Sequence, residues 1–323
     1  MSRLTRFAWL VLLFNLAVIL WGVAVRATGS GAGCGSHWPL CNGEVVPQAP
    51  RVATVIEFSH RVSSGLALLL VVALGVMAFV DRRAGDPTRK AAVAGALLML
   101  SEALVGAGLV LFRLVADNQS MARAMFMGTH LMNTFFLLAA LTLTAHFSAA
   151  PAPLRLRGQG WLGAGLAAGL LGLLLAGVSG AVAALGDTLF PAKTLSQALG
   201  QDFSATGHFL IRLRLLHPAI AIGAGVVAIL LTLHPREGAA RWARWTALFV
   251  FCQWVAGLVN VLLLAPVWMQ MVHLLLADLV WIAVVLLAAT SLALAALAAD
   301  GASLHLDRGA LIHRRGEADV AGR

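Results

Sequence analysis

A chain of 323 residues that is 60% hydrophobic and 11% charged, with a mean hydropathy of +0.88, is too apolar for a soluble domain of that length. The composition excludes water-exposed folds and defines an all-α integral membrane protein. Its formal net charge of +9 follows from basic residues crowded into short connections, so it gives no reason to expect a nucleic-acid partner.

Eight apolar runs are long enough to cross about 30 Å of hydrocarbon as helices. They cover residues 7–26, 55–80, 91–115, 122–147, 161–184, 207–232, 242–265 and 268–298. The first follows Ser2-Arg3-Leu4-Thr5-Arg6 and resembles a signal peptide. No Ala-rich cleavage sequence follows it and seven further spans do, which predicts a retained first helix. With connections assigned to alternating faces, fifteen of the 23 Lys and Arg residues share the side of the N-terminus. That bias predicts a multi-pass protein of the plasma membrane, set in the lipid bilayer with both termini cytoplasmic.

The outer loop, residues 27–54, is rich in Gly and holds Cys34 and Cys41, with Pro39 between them. Six enclosed residues on the non-cytoplasmic side point to a structural disulfide. A thiol pair delivering electrons and a metal site with His37 are the competing readings, the latter short of a fourth ligand. The second run then opens on Glu57-Phe58-Ser59-His60-Arg61, three ionisable side chains inside apolar sequence. On a helix they share one face and supply an acid, a ligand or base, and an anion clamp within one turn. Ionisable groups at membrane depth mark function by default, against the plainer alternative of a helix end reaching the headgroups.

The third run contains Glu102, expected as a protonated carboxyl hydrogen-bonded to a neighbouring helix, with packing ahead of proton relay as its role. The fourth contains His130. In the fifth, Gly165 and Gly169 permit close helix approach. The stretch Leu185-Gly186-Asp187-Thr188-Leu189-Phe190-Pro191 leads to the sixth, with Arg212, Arg214, His217 and Pro218; the seventh has Gln253, and the eighth His273 and Asp278. Beyond residue 300 the polar tail is expected to be disordered and cytoplasmic.

The second half can be laid on the first. Gly22-Val23-Ala24-Val25 matches Gly177-Val178-Ser179-Gly180, Glu102 to Gly106 matches Gln253 to Gly257, and His130 matches His273. Four helices per half give two repeats of the same orientation, two tandem parallel four-helix bundles over residues 1–150 and 151–300, followed by the tail at 301–323. His60, His130, His217 and His273 occupy the second and fourth helices of each repeat, in the outer half of the membrane. Imidazoles facing each other across a bundle can ligate haem iron axially, so two pairs give two haem sites. Arg61, Arg212 and Arg214 are candidates to meet haem propionates, with headgroup snorkelling as the alternative.

Taken together, Glu57-x-x-His60-Arg61, the loop with Cys34 and Cys41, Leu185 to Pro191, His217-Pro218 and the eight-helix repeat resemble haem A synthase of the bacterial type, over residues 5–298. The resemblance implies an oxidoreductase that converts the C8 methyl of haem O to a formyl group, giving haem A for terminal oxidases. It implies that His60 and His130 ligate the substrate haem in the first repeat, and His217 and His273 a haem b cofactor in the second. It also implies haem O synthase and a membrane electron acceptor as partners. Some members carry a second cysteine pair in the later outer loop, and this chain does not.

Only the first repeat sets a carboxylate beside its histidine, because Arg214 stands where Glu57 would align. Glu57 is therefore the candidate catalytic residue, accepting a proton or stabilising positive charge at the methyl. A di-haem b-type cytochrome exchanging electrons with quinone explains the histidines equally well but leaves Glu57 without a task. A transporter is the third reading, since parallel repeats with polar residues in mid-membrane occur there too.

Overall fold

The computed structural model describes residues 1–204, 206–236 and 238–293. The tail at 301–323 and the last residues of the eighth run lie outside them. Among the described residues the protein is helical, with eight helical spans long and apolar enough to cross a membrane. These are α1 (Arg3–Ala27), α2 (Val52–Asp81), α3 (Pro87–Leu111), α4 (Met121–Ala149), α5 (Gly160–Leu189), the pair α7 (Phe209–Arg214) and α8 (Leu216–Leu233), α9 (Ala240–Leu262) and α10 (Val267–Ala293). A short helix that hydropathy does not reveal, α6 (Leu195–Asp202), lies in the connection before the sixth span.

Local chemistry sets most of the ends. Ser2, Asp86 and Ser120 cap α1, α3 and α4 by accepting the N–H groups of Thr5, Thr88 and Arg123. Pro87 fills the first position of α3, where its missing N–H is no loss. The same residue type interrupts the sixth span. Pro218 has no N–H for the Arg214 carbonyl, and the helix breaks at Leu215 although the backbone there keeps helical angles.

Between apolar helices in lipid, close packing does the work that water exclusion does elsewhere. A Cβ on Gly165 or Gly169 would lie 3.1 or 2.9 Å from Leu231, so the contact between α5 and α8 requires glycine there. The main core is built from α1, α2, α3 and α4, and it is completed by Trp281, Ile282, Val285 and Leu286 of α10. Trp281 stacks on Phe135 at 5.1 Å and donates its indole N–H to the Phe135 carbonyl at 2.6 Å. A smaller core joins Ala228 of α8 and Val250 of α9 to Val280 and Val284 of the same α10. The last span thus sits in both halves.

Candidate functional site

All four histidines fall near the bundle end that carries the connections 28–51, 112–120, 190–208 and 263–266. Each lies within the first ten residues of its span, at a depth of roughly 9–14 Å for a helical rise of 1.5 Å per residue. Each also rests on a glycine of the helix before it. A Cβ on Gly22 of α1 would stand 3.3 Å from Cε1 of His60, and one on Gly106 of α3 would stand 3.8 Å from Cε1 of His130. In the second half the corresponding distances are 3.0 Å from Gly180 to His217 and 3.1 Å from Gly257 to His273. The glycine that corresponds to Gly22 is therefore Gly180, not the Gly177 of the sequence alignment. Gly177 faces Phe135 and Leu131 of α4 instead.

His217 and His273 stand with ring centres 6.4 Å apart and planes at 88°. With histidine–metal bonds of about 2 Å, two imidazoles on opposite sides of one metal have centres roughly 6 Å apart. Nδ1 of His217 is engaged by the Ser179 hydroxyl at 3.1 Å, which leaves Nε2 for a ligand. Nδ1 of His60 is buried without a hydrogen-bond partner, as is Nδ1 of His273. A donor set of imidazoles with one pair at the separation of two ligands on one iron fits haem iron. No group of three or more His, Cys, Asp or Glu among the described residues could hold a bare metal ion, so His37 does not complete a metal site with the cysteines.

Cys34 and Cys41 form a disulfide, and the loop it closes is fastened to the start of α2. Glu57, 3% exposed, accepts the Cys34 N–H at 2.8 Å through Oε2. Its Oε1 takes Nε and Nη2 of Arg61 at 3.1 and 2.5 Å. Arg61 also donates from Nη1 to the carbonyls of His37 and Leu40, both at 2.7 Å. Glu57 and Arg61 share a helix face as expected, but Arg61, expected to clamp an outside anion, is spent on Glu57 and on the loop.

The other candidate arginines divide the same way. Arg214 is paired with Asp187 at 2.8 Å and Asp202 at 2.5 Å, which ties the ends of α5 and α6 to α7. Arg212 is exposed, donates Nε–H to the Gly207 carbonyl, and has no carboxylate partner among the described residues. Sequence reasoning misses Arg26 as a site residue, since a lone arginine ending a span reads as a topology signal. It donates to the Ala184 carbonyl at 2.8 Å, to Thr188 Oγ1 at 2.6 Å and to Gln270 Oε1 at 2.5 Å, joining α1 to α5 and α10. Glu102 accepts Asn133 Nδ2–H at 2.6 Å, contacts the Thr134 hydroxyl, and lies 3.3 Å from Nδ1 of His130.

These features define a polytopic membrane protein with four intramembrane histidines gathered at one end of an eight-span bundle. The family described as cytochrome oxidase assembly protein, COX15-CtaA, matches residues 5–285, and the chain belongs to it. Among curated relatives, a protein of one Thermus thermophilus strain named protoheme IX farnesyltransferase is 52% identical over 296 residues, 90% of this chain and 49% of the relative. Its counterpart in a second strain of the same species is 51% identical over 296 residues. A heme A synthase of Alkalihalophilus pseudofirmus is 41% identical over 97 residues, 30% of this chain and 33% of the relative. The chain thus spans about half the length of the Thermus relatives.

Proposed function

We propose that the chain is a haem A synthase, oxidising the C8 methyl of a farnesylated haem to a formyl group. The observation that carries the reading is the fourfold recurrence of an intramembrane histidine seated on a glycine of the preceding helix, with one pair at the separation of two ligands on one iron. Family membership and the heme A synthase relatives support it. The Thermus relatives support the substrate class, because a protein twice as long, named for farnesyl transfer to haem, contains a region like this chain. A haem O synthase is accordingly the expected neighbour, with a membrane electron acceptor for the product electrons.

In this reading residues 1–150 hold substrate haem O through His60 and His130, and residues 151–300 hold haem b through His217 and His273. Both termini face the cytoplasm and the histidines lie toward the outer face of the plasma membrane. Bound iron supplies one-electron chemistry. Taking a methyl group to an aldehyde with water as oxygen source releases four electrons and four protons. The protein's part is to orient the methyl and to hold charge beside it.

Glu57 is ion-paired to Arg61 and held by the Cys34 N–H, so it serves as a fixed negative charge next to His60 rather than as a mobile base. Arg61 and the disulfide loop position Glu57. Arg212, without a carboxylate partner among the described residues, is the best placed of the three arginines to meet a propionate.

The test is to purify the protein from cells that make haem O, record its reduced-minus-oxidised spectrum, and separate the extracted haems. Haem O or haem A alongside haem b is expected. Haem b alone would favour the di-haem cytochrome, and absence of haem would end both readings.

A further inference from the structure

The side edge of a guanidinium, Nε together with Nη2, is a fork that suits a carboxylate. At the outer end of the bundle two arginines have that fork filled by the chain itself. Nε and Nη2 of Arg61 both reach Oε1 of Glu57, at 3.1 and 2.5 Å, and those of Arg214 both reach Oδ1 of Asp202, at 2.8 and 2.5 Å. Arg123 of α4 is different. Its Nη1 donates to the carbonyls of Ala116 and Asn118, the latter at 2.9 Å, while its Nε is buried with no hydrogen-bond partner among the described residues.

Bracing the loop 112–120 accounts for Nη1 and leaves the side edge without a task. Asp117 of that loop is exposed and forms no ion pair among the described residues. Arg123 itself is only 3% exposed, so bulk water has little access to it. A buried cation with an unused donor is costly unless an acceptor meets it.

Its place on α4 indicates which acceptor. His130 lies seven residues further on, two turns deeper on nearly the same face, about 10 Å away for a rise of 1.5 Å per residue. Counted from the start of each span, Arg123 is about 3 Å deep and Glu57 about 8 Å, both nearer the outer end than His60 and His130. For a haem seated at the histidines, the anionic groups able to reach back toward the outer end are its propionates.

We propose that Arg123 receives a propionate of the substrate haem through Nε and Nη2 and thereby fixes which edge of the ring faces outward. On haem O the C8 methyl shares a pyrrole ring with one propionate, so an outward propionate edge brings that methyl toward the depth of Glu57. Arg123 is then a positioning residue for the reaction. The inference deepens the haem A synthase reading and rests on it.

Full-length protein purified from cells without haem O synthase is titrated in detergent with haem O and with its dimethyl ester, followed in the haem absorption bands. Loss of this binding in His130→Ala assigns it to the first half. Wild type is expected to prefer the acid over the ester by about tenfold or more, the scale of a hydrogen bond between charged groups, and Arg123→Gln to lose about tenfold of that preference. A purely structural role in the loop, or a lipid phosphate on the fork, leaves the ratio of acid to ester unchanged, and that result overturns the inference. Equal binding of acid and ester by wild type overturns it as well. If Arg123→Gln does not fold, Arg123→Lys takes its place, since it keeps the charge without the fork, and an unchanged ratio there has the same force. At saturating haem O, Arg123→Gln is expected to give less formyl product per unit time, and full turnover would overturn the orienting role. Wild type that takes up neither form would bring down the haem A synthase reading itself, a result visible before any variant is made.

Discussion

Glu57 shows how a residue legible in the sequence acquires its meaning from a contact that is not. Its spacing to His60 and Arg61 follows from helical geometry, so the shared face can be read directly, whereas the pairing of Arg61 with Glu57 in place of an outside anion comes from the structure. The Cys34 N–H that binds its other oxygen comes from a loop 23 residues earlier, and nothing local in the sequence encodes that contact. In the proposed reaction that contact favours a fixed charge over a proton acceptor, the two roles that the sequence leaves open. Glu57→Gln keeps the shape and the hydrogen bond from Cys34 but removes the charge facing Arg61. Turnover of haem O by the purified variant is expected to fall by about 100-fold with haem content unchanged, the scale seen when one preorganised electrostatic group is removed. Full turnover would rule out the role.

At the level of the helices, hydropathy locates every span, and the ends differ for identifiable reasons. The third apolar run extends to residue 115, but α3 stops at Leu111 and the chain turns through Arg113 in a left-handed conformation, φ 55°. The fifth run ends at 184, but α5 continues to Leu189, and in that extension Asp187 has Arg214 as a partner and Thr188 bonds back to the Ala184 carbonyl. The glycines beneath the histidines are visible as letters, yet only packing tells Gly180 from Gly177.

That packing ranks the four sites. Gly180→Ala would press a methyl to 3.0 Å from His217, closer than side-chain carbons ordinarily approach, whereas Gly106→Ala leaves an ordinary contact of 3.8 Å. Haem recovered per protein is expected to drop toward one for Gly180→Ala and to stay unchanged for Gly106→Ala. Equal retention in both would mean that the glycines are incidental.

Across the whole molecule, the two halves are tied by groups to which sequence reading gives other tasks. Arg26 counts there as an outer-face charge, but it holds α5 and α10 against α1. Arg26→Ala leaves Thr188 and Gln270 without that donor and is expected to cost about 2 kcal/mol, on the scale of hydrogen bonds to a charged group. The check is a lower thermal midpoint in detergent with haem spectra unaltered before melting. No change would show that the core around Trp281 holds the halves by itself.

The dual seating of α10 also orders the protein's assembly in time. A ribosome adding roughly 5–20 residues per second makes Arg26 about 12–50 s before Gln270, its partner 244 residues on. Within that interval the first four spans are completed while the place of Trp281, Ile282, Val285 and Leu286 is still unfilled. Insertion of the final helix is then the event that closes the first half as well as the second, so a nascent chain halted before α10 holds neither half in its finished form.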